Sequence, residues 1–360
     1  MGSNSPALRY GIIGTGMMGI EHLNNLLHVD GAEITALADP HPASRESAAA
    51  LAPGAAVYSD HRQLIADDVC DAVVVASPNM THIDVLTDLL ATDLHILVEK
   101  PLCTTVDDCY RVMDLAEGRE ALTWVGLEYR YIPQITRLID EVDGGAVGQP
   151  RMVSIREHRF PFLQKVGDWN RFSRNTGGTL VEKTCHFFDL MCRIMPGRPV
   201  RVMASGAQDV NHLDEVYDGE VPDILDNAFV IVEFDDGGRG MLDLCMFAEA
   251  THDQEQLSVV GAKGKVETYV PHPLVRIGRR GEHWMGSVET HEVHDESVAY
   301  EGSHDGSSYL EHLRFRDAIV EGRGPDVTLH DGLVSVAIGA AAHRSIDEGR
   351  VVDLSEFLRD

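Results

Sequence analysis

The tightest constraint in this sequence is the stretch Tyr10-Gly11-Ile12-Ile13-Gly14-Thr15-Gly16-Met17-Met18-Gly19. An apolar run from Leu8 to Ile13 reads as a short buried strand, and it breaks at Gly14-x-Gly16-x-x-Gly19. A helical stripe of Ile20, Leu23, Leu26 and Leu27 follows. Strand, glycine turn and helix in that order can hold a dinucleotide. Gly14 makes the tight turn, Gly16 lets backbone approach a pyrophosphate, and Gly19 lets the helix pack closely on the strand. The helix N-terminus then offers free N–H groups to the phosphates. Glycine-rich turns are common, so a second signal decides. Glu33–Ala38 reads as the next strand, and Asp39 ends it twenty residues after Gly19, where a carboxylate meets ribose hydroxyls. The plainer reading makes Asp39 a cap for a helix beginning near Pro42. A carboxylate at this point repels a 2′-phosphate, which favours NAD, while His41 and Arg45 soften the repulsion and leave NADP possible.

The next segments repeat the pattern. Helical stretches at Ala43–Leu51, Thr81–Leu90 and Val106–Glu117 alternate with apolar strands at Val57–Tyr58, Asp71–Ala76, His95–Val98 and Thr123–Leu127. Continuous apolar strands between helices mean a parallel sheet covered on both faces. Ligands of such sheets bind beyond the carboxyl ends of the strands, and Asp39, Asn79, Lys100 and Arg130 all fall at or just past such ends. The pattern then changes to period two at Met152–Glu157, Val200–Ala207, Ala228–Phe234, Arg239–Met246, Leu257–Val260 and Lys265–Tyr269, which predicts a mostly antiparallel sheet. A loop, Phe162–Gly178, and a helix, Thr179–Ile194, interrupt it, and helices Tyr309–Glu321 and Leu329–Glu348 close the chain. With 360 residues, two hydrophobic cores are expected. The fold class is therefore α/β: an N-terminal Rossmann doubly wound parallel sheet at 1–128, then a C-terminal α+β domain with a largely antiparallel open sheet at 129–360 for substrate binding and oligomerisation.

Bulk properties exclude some classes. A formal charge of −28 argues against nucleic acid, whose phosphates need a basic face. No apolar run approaches the roughly 18 residues of a membrane span, and the opening Met1–Pro6 has no leader architecture, so a cytoplasmic protein off the membrane is expected. The 6 cysteines form no CxxC and no zinc-like spacing. Reduced thiols and no metal are the expectation. Lysine is scarce (Lys100, Lys165, Lys183, Lys263 and Lys265), which draws attention to each one.

Glu182, His186 and Asp189 stand at i, i+4 and i+7 of the Thr179–Ile194 segment, with Lys183 at the border of their stripe. A histidine one turn from a carboxylate is an acid–base unit: the carboxylate orients the imidazole and favours its charged form. The same spacing also suits a polar face stitched by ordinary pairs. The preceding loop carries Trp169, Asn170, Arg171, Arg174 and Asn175, groups that suit a polyhydroxylated ligand or a plain surface loop. His304, Asp305, Tyr309 and His312 are weaker candidates that read better as helix-facing residues.

On these motifs the chain resembles the Gfo/Idh/MocA family of NAD(P)-dependent oxidoreductases, the inositol and sugar dehydrogenases among them. The matching segments are Gly11–Gly19, Asp39, Pro78-Asn79-Met80-Thr81-His82, Glu99-Lys100-Pro101, and Gly177-Gly178 leading into Glu182-Lys183-Thr184-Cys185-His186-Phe187-Phe188-Asp189-Leu190. The resemblance implies a Rossmann domain, a second domain whose open sheet mediates homodimers or homotetramers, and a small carbohydrate or polyol substrate. It places Gly14, Gly16, Met17, Met18, Asp39, Ser77, Asn79, His82, Glu99, Lys100 and Arg130 around the cofactor. Trp169, Asn170, Arg171 and Lys183 join Lys100 and His186 at the substrate. Lys100 then sits between nicotinamide and substrate and works with His186, with Glu182 where the family usually has Asp. The longer carboxylate and the adjacent Lys183 mark a departure from the commonest motif. The reaction implied is hydride transfer between NAD(H) and a secondary alcohol, with His186 as base, Glu182 supporting it and Lys100 stabilising alkoxide character. An NAD-dependent glycosidase of the same fold and a non-catalytic dinucleotide-binding regulator are the alternatives.

Overall fold

The computed structural model describes residues 7–281 and 286–359; the Met1–Pro6 segment considered above for a leader lies outside them. The chain forms two compact units. One comprises the chain up to Glu128 together with Lys165–Gly167 and Ser297–Leu333; the other comprises Tyr129–Gln164, Asp168–Glu296 and Val334 onward.

In the first unit, strands β1 (Leu8–Ile13), β2 (Ala32–Ala38), β3 (Ala56–Tyr58), β4 (Ala72–Val75), β5 (His95–Glu99) and β6 (Thr123–Gly126) alternate with helices α1 (Met17–Leu26), α2 (Pro42–Leu51), α3 (His61–Ala66), α4 (His82–Leu89) and α5 (Val106–Leu115). The sheet is parallel in the order β3-β2-β1-β4-β5-β6. Strand order reverses at the β1–β4 junction, which is where open α/β sheets bind ligands. The central strands are buried along their length because helices cover both faces, hence their unbroken apolar sequences.

The second unit begins with α6 (Pro133–Asp143) and β7 (Pro150–His158). Three short helices follow, α7 (Ser173–Thr176), α8 (Thr179–Glu182) and α9 (Cys185–Ile194). Strands β8 (Pro199–Ala207), β9 (Asn227–Phe234), β10 (Arg239–Cys245), β11 (Glu255–Gly261), β12 (Gly264–Val270), β13 (Leu274–Arg279) and β14 (Ser287–Glu292) complete most of its sheet. Helix α10 (Ser307–Glu321) lies in the first unit; α11 (Leu329–Glu348) and β15 (Val352–Asp353) end the chain. The 9-stranded sheet runs β14-β13-β12-β11-β7-β10-β9-β8-β15, antiparallel throughout except for the parallel pair β7–β10.

Helix α3 and strands β13, β14 and β15 were not anticipated from the sequence, and three further features differ from that reading. Helix α6 was not among the anticipated elements, although Ile135, Leu138, Ile139 and Val142 make a buried helical stripe behind a proline at its start. The expected continuous helix Thr179–Ile194 breaks at Lys183–Thr184, where the Thr184 hydroxyl donates to the Leu180 carbonyl at 2.7 Å and competes with the helical ladder. Helix α11 backs this break: its His343 Nε2 accepts the Leu180 N–H at 3.0 Å, and burial lowers that imidazole to about 4.

The third difference concerns Ser297–Leu333, which the division at residue 128 had assigned to the second domain. This stretch packs into the first unit. Phe315 is fully buried between Tyr10 and Trp124, with ring centroids 6.4 and 6.0 Å away. The Trp124 indole donates to Glu311 at 3.1 Å, and Glu21 on α1 accepts the Ser303 N–H at 2.9 Å. The pairing depends on side chains some 190 to 290 positions apart in sequence, which local periodicity cannot report. Truncating Phe315→Ala should cost about 3–5 kcal/mol. Amide exchange should show the loss as faster opening of β1 and β6, with the second unit's sheet unaffected.

Candidate active site

The residues singled out from the sequence divide between the two units. In the first, the β1–α1 turn is built as the glycine spacing requires. Gly14 adopts φ +86°, and a Cβ there would collide with the Ser77 backbone nitrogen. A Cβ on Gly19 would collide with the Gly14 carbonyl, so only glycine lets α1 start against β1. Gly16 has no heavy atom within 4 Å of where its Cβ would stand. Its backbone therefore faces open space at the helix N-terminus, beside half-exposed Met17 and Met18, as a phosphate cradle needs. Asp39 is preoriented: one carboxylate oxygen accepts the Thr15 N–H and the other the His41 N–H, each at 2.7 Å. A carboxylate has about four acceptor positions, which leaves capacity for ribose hydroxyls. Asn79 adds a buried Nδ2 that finds no hydrogen-bond partner among the described residues, a donor suited to a bound ligand. These features together fit a dinucleotide.

Two residues expected at the cofactor turn inward instead. His82 is wholly buried, and its ring nitrogens lie 2.9 Å from the Pro101 carbonyl and 3.1 Å from the Ser77 carbonyl. It ties the loop after β4 to the loop after β5, and burial lowers its pKa. Glu99 is also buried; it takes the His22 ring at 2.8 Å and the Lys100 N–H at 3.0 Å. Burial alone would raise its carboxyl, but His22, through hydrogen bond and charge, with Lys100 and His304, outweighs that and holds it at about 2. His22 continues to His312 on α10, 2.9 Å away, whose imidazole is pushed well below its usual range by burial and then by His22. Tyr309 donates to the His28 carbonyl at 3.4 Å, so the α10 candidates face α1, as their plainer reading had it. Lys100 leaves the carboxyl end of β5 with its backbone fixed from behind by Glu99.

In the second unit His186 is buried on α9, with its ring stacked on Tyr129 at a centroid distance of 4.1 Å and 9° between planes. Glu182 ends α8 and is buried as well. Asp189 is the partner of Arg130, which donates Nε at 2.7 Å and a second N–H to the other oxygen in a bidentate fork. Arg130 is thus committed to a carboxylate of its own unit. Lys183, expected at the substrate, points into the interior: its ammonium lies 2.8 Å from Glu157 and 3.2 Å from the Tyr129 hydroxyl. Asn170 is buried and donates to the Leu163 carbonyl at 3.0 Å, while Arg171 donates Nε to Glu215 at 2.9 Å. These two anchor the loop rather than reach outward; Trp169 beside them is half-buried.

Sequence reasoning missed Glu157 and Glu255, which face each other directly across the β7–β11 ladder and are both buried. A signal existed. Each occupies the inward phase of its strand, in line with Val153 and Ile155 or with Leu257 and Val259. Burial and then the Glu157 charge push the Glu255 carboxyl up to about 7. Tyr129 donates to it at 3.4 Å. Among the described residues one group, His252, Asp253 and His272, clusters its ligand atoms within 4.8 Å. The two imidazoles stack at 8° between planes, so their lone pairs run in parallel planes and do not converge on one ion.

Comparison with known proteins agrees with this construction. Residues 8–127 match the model of the oxidoreductase family NAD-binding Rossmann fold, and residues 139–354 match the model of the oxidoreductase family C-terminal alpha/beta domain (GFO_IDH_MocA and GFO_IDH_MocA_C). The myo-inositol 2-dehydrogenase of Thermotoga maritima is 29% identical over 366 residues, covering 98% of this chain and 100% of the relative. The crystal structure of a probable dehydrogenase from Thermotoga maritima superposes with a TM-score of 0.79 at 26% identity, covering 98% of this chain and 100% of the other. A levoglucosan dehydrogenase in complex with NADH shares the fold, with a TM-score of 0.84 at 18% identity, 97% of this chain and 99% of that one being covered.

The Glu255 carboxyl gives a pH signature. Its folded pKa of about 7 exceeds the unfolded carboxyl value, so the native state holds a proton that the unfolded chain gives up. Stability from this site is therefore full below about pH 4.3 and lost as pH rises through about 7, a change on the order of 3 kcal/mol. Denaturant unfolding of wild type and Glu255→Gln should show the variant gaining on wild type between pH 5 and pH 8. An unchanged difference across that range would refute the assignment.

Proposed function

Because the chain belongs to the Gfo/Idh/MocA family of NAD(P)-dependent oxidoreductases, we propose that it transfers hydride between NAD(H) and a secondary alcohol of a sugar, inositol or related polyol. The observation that carries this reading is the position of Lys100. It emerges at the carboxyl end of β5 in the same sheet whose β1–α1 turn makes the dinucleotide cradle, and Glu99 fixes its backbone. Similarity to a myo-inositol 2-dehydrogenase over nearly the full length supports a cyclic polyol or sugar as substrate.

The nicotinamide, when bound, supplies the two-electron acceptor. The protein must do the rest. Oxidising a carbinol leaves a carbonyl, so the hydroxyl proton has to go to a base as the C–H bond breaks. His186 takes that proton, and the neighbouring Glu182 carboxylate favours the imidazolium so formed. The Lys100 ammonium offsets the negative charge that gathers on the oxygen while proton and hydride leave. Asp39 receives the ribose hydroxyls through its unused acceptor positions and disfavours a 2′-phosphate, which makes NAD the preferred form.

Two further properties belong to the same reading. Met203, Phe229, Ile231 and Met241 lie on one exposed face of the large sheet, in register across β8, β9 and β10. A second copy of the chain would cover that face in a homo-oligomer. No helix among the described residues is long and apolar enough to cross a membrane, and the cysteines are free thiols, four of the six buried, which suits a reducing cytoplasm.

Lys100→Ala and His186→Ala should each lower turnover by at least about a hundredfold, the usual scale for acid–base groups, while NADH binding followed by fluorescence persists. Turnover within a few-fold of wild type removes that residue from the mechanism. NADH absorbance on a panel of inositols, aldoses and sugar acids identifies the substrate, and release of free sugar without net NADH would point to glycosidase chemistry instead. Phe229→Asp with Ile231→Asp should reduce the mass seen by light scattering to that of a single chain.

A further inference from the structure

The second unit buries more charge around His186 than a base needs. Tyr129 lies flat against the imidazole, 4.1 Å between centroids. At the hydroxyl edge of Tyr129 the Lys183 ammonium stands 3.2 Å from the phenol oxygen and 5.4 Å from the ring centroid. Glu157, fully buried, holds that ammonium at 2.8 Å and also accepts from Arg159 at 3.3 Å. Glu255, directly opposite Glu157 in the ladder, accepts from the Tyr129 hydroxyl at 3.4 Å and from Gln254 at 2.7 Å. Two buried carboxylates, a buried lysine and a partly exposed arginine thus gather beside the hydroxyl of a single aromatic ring. Leaving one of these charges buried without its partner would be strongly destabilising. An apolar residue at position 183 would fill the space without any of them.

We propose that Lys183, Glu157 and Glu255 are positioning residues that act through the Tyr129 ring, holding the His186 imidazole in one plane and keeping it unprotonated until substrate delivers the proton. The inference rests on His186 being the base of the proposed reaction. Its logic is electrostatic. A cation at the hydroxyl edge of the ring that stacks on the imidazole disfavours the imidazolium, and a base is useful only while neutral. The other charged groups around the imidazole are Glu182 at the end of α8, which opposes this effect, and the Arg130–Asp189 pair one turn along α9, which is neutral as a unit. From β7 come Glu157 and Arg159, whose charges cancel, and from β11 comes Glu255.

Glu255 makes the arrangement responsive. While it carries a proton, the cluster has a net positive charge that includes Lys183; when it ionises, near neutrality, that excess disappears. Lys183 therefore acts most strongly at lower pH, where a bare imidazole would otherwise be lost to protonation. Stacking supplies the geometric part. A ring held within 9° of the Tyr129 plane cannot swing about its side-chain torsion, so its nitrogens keep a fixed heading.

The test combines two readouts on the full-length protein. One is the protonation midpoint of His186 by NMR with 13C-labelled histidine, its signal assigned by its absence in His186→Ala. The other is the acid limb of kcat/KM. In Lys183→Met both should move to higher pH by about one unit, the scale of one charge several ångströms away at an effective dielectric of about 20. Lys183→Arg should restore both. Tyr129→Leu should lower kcat with little change in KM, because it frees the ring without removing a charge. If Lys183→Met unfolds, Lys183→Gln keeps a hydrogen-bond donor beside Glu157 without the charge and should move both midpoints in the same direction. Midpoints unchanged in every folded variant overturn the inference. A midpoint that shifts while His186→Ala retains full turnover upholds the coupling and overturns the base assignment instead.

Discussion

The close approach of α1 to β1, possible only because Gly14 and Gly19 lack side chains, is the constraint on which the first unit depends. Once the helix starts there, everything it carries is placed. The Thr15 N–H orients Asp39. Glu21 takes the Ser303 backbone, and His22 takes both Glu99 and His312. Through Glu99 the helix reaches the backbone of Lys100. A methyl group at Gly19 would thus displace more than a turn: it would loosen the nucleotide cradle, the candidate catalytic strand end and the seating of α10 together. Small residues at such contacts act as geometric tolerances rather than as ligands.

The second unit solves a different problem. Its sheet buries two facing carboxylates, and like charges directly opposite in a ladder repel. The protein compensates with Lys183, Arg159 and the Tyr129 hydroxyl, and with a Glu255 carboxyl raised to about 7. Replacing the whole set with apolar residues would be no less stable by general expectation. The retained charge gathers at the hydroxyl of Tyr129, the ring that stacks on His186, which is why we assign it to control of that histidine.

The break between α8 and α9 shows how local and global chemistry combine. Regular spacing predicts that Glu182, His186 and Asp189 share one helical stripe. A single hydroxyl, that of Thr184, diverts the ladder and gives each side chain its own heading. Asp189 then serves Arg130, and Lys183 turns inward to Glu157.

The alternation of strands and helices in the first unit, the dinucleotide turn, and the positions of Asp39 and of the lysine at a strand end were legible in the sequence, because each rests on period, spacing or a glycine that only one backbone conformation requires. The alternating strands of the second sheet were legible for the same reason. Tertiary structure alone decided where side chains point once buried. His82, Glu99 and Lys183 all lie in motifs that suggest ligand contact, yet each is paired inside the protein. It alone also decided that the stretch from Ser297 to Leu333 completes the first unit, and that Glu157 meets Glu255. The physical reason is range. Backbone periodicity acts over a few residues, whereas a buried polar group is paired by whatever distant segment can pay its desolvation cost, and that partner has no fixed offset in the chain.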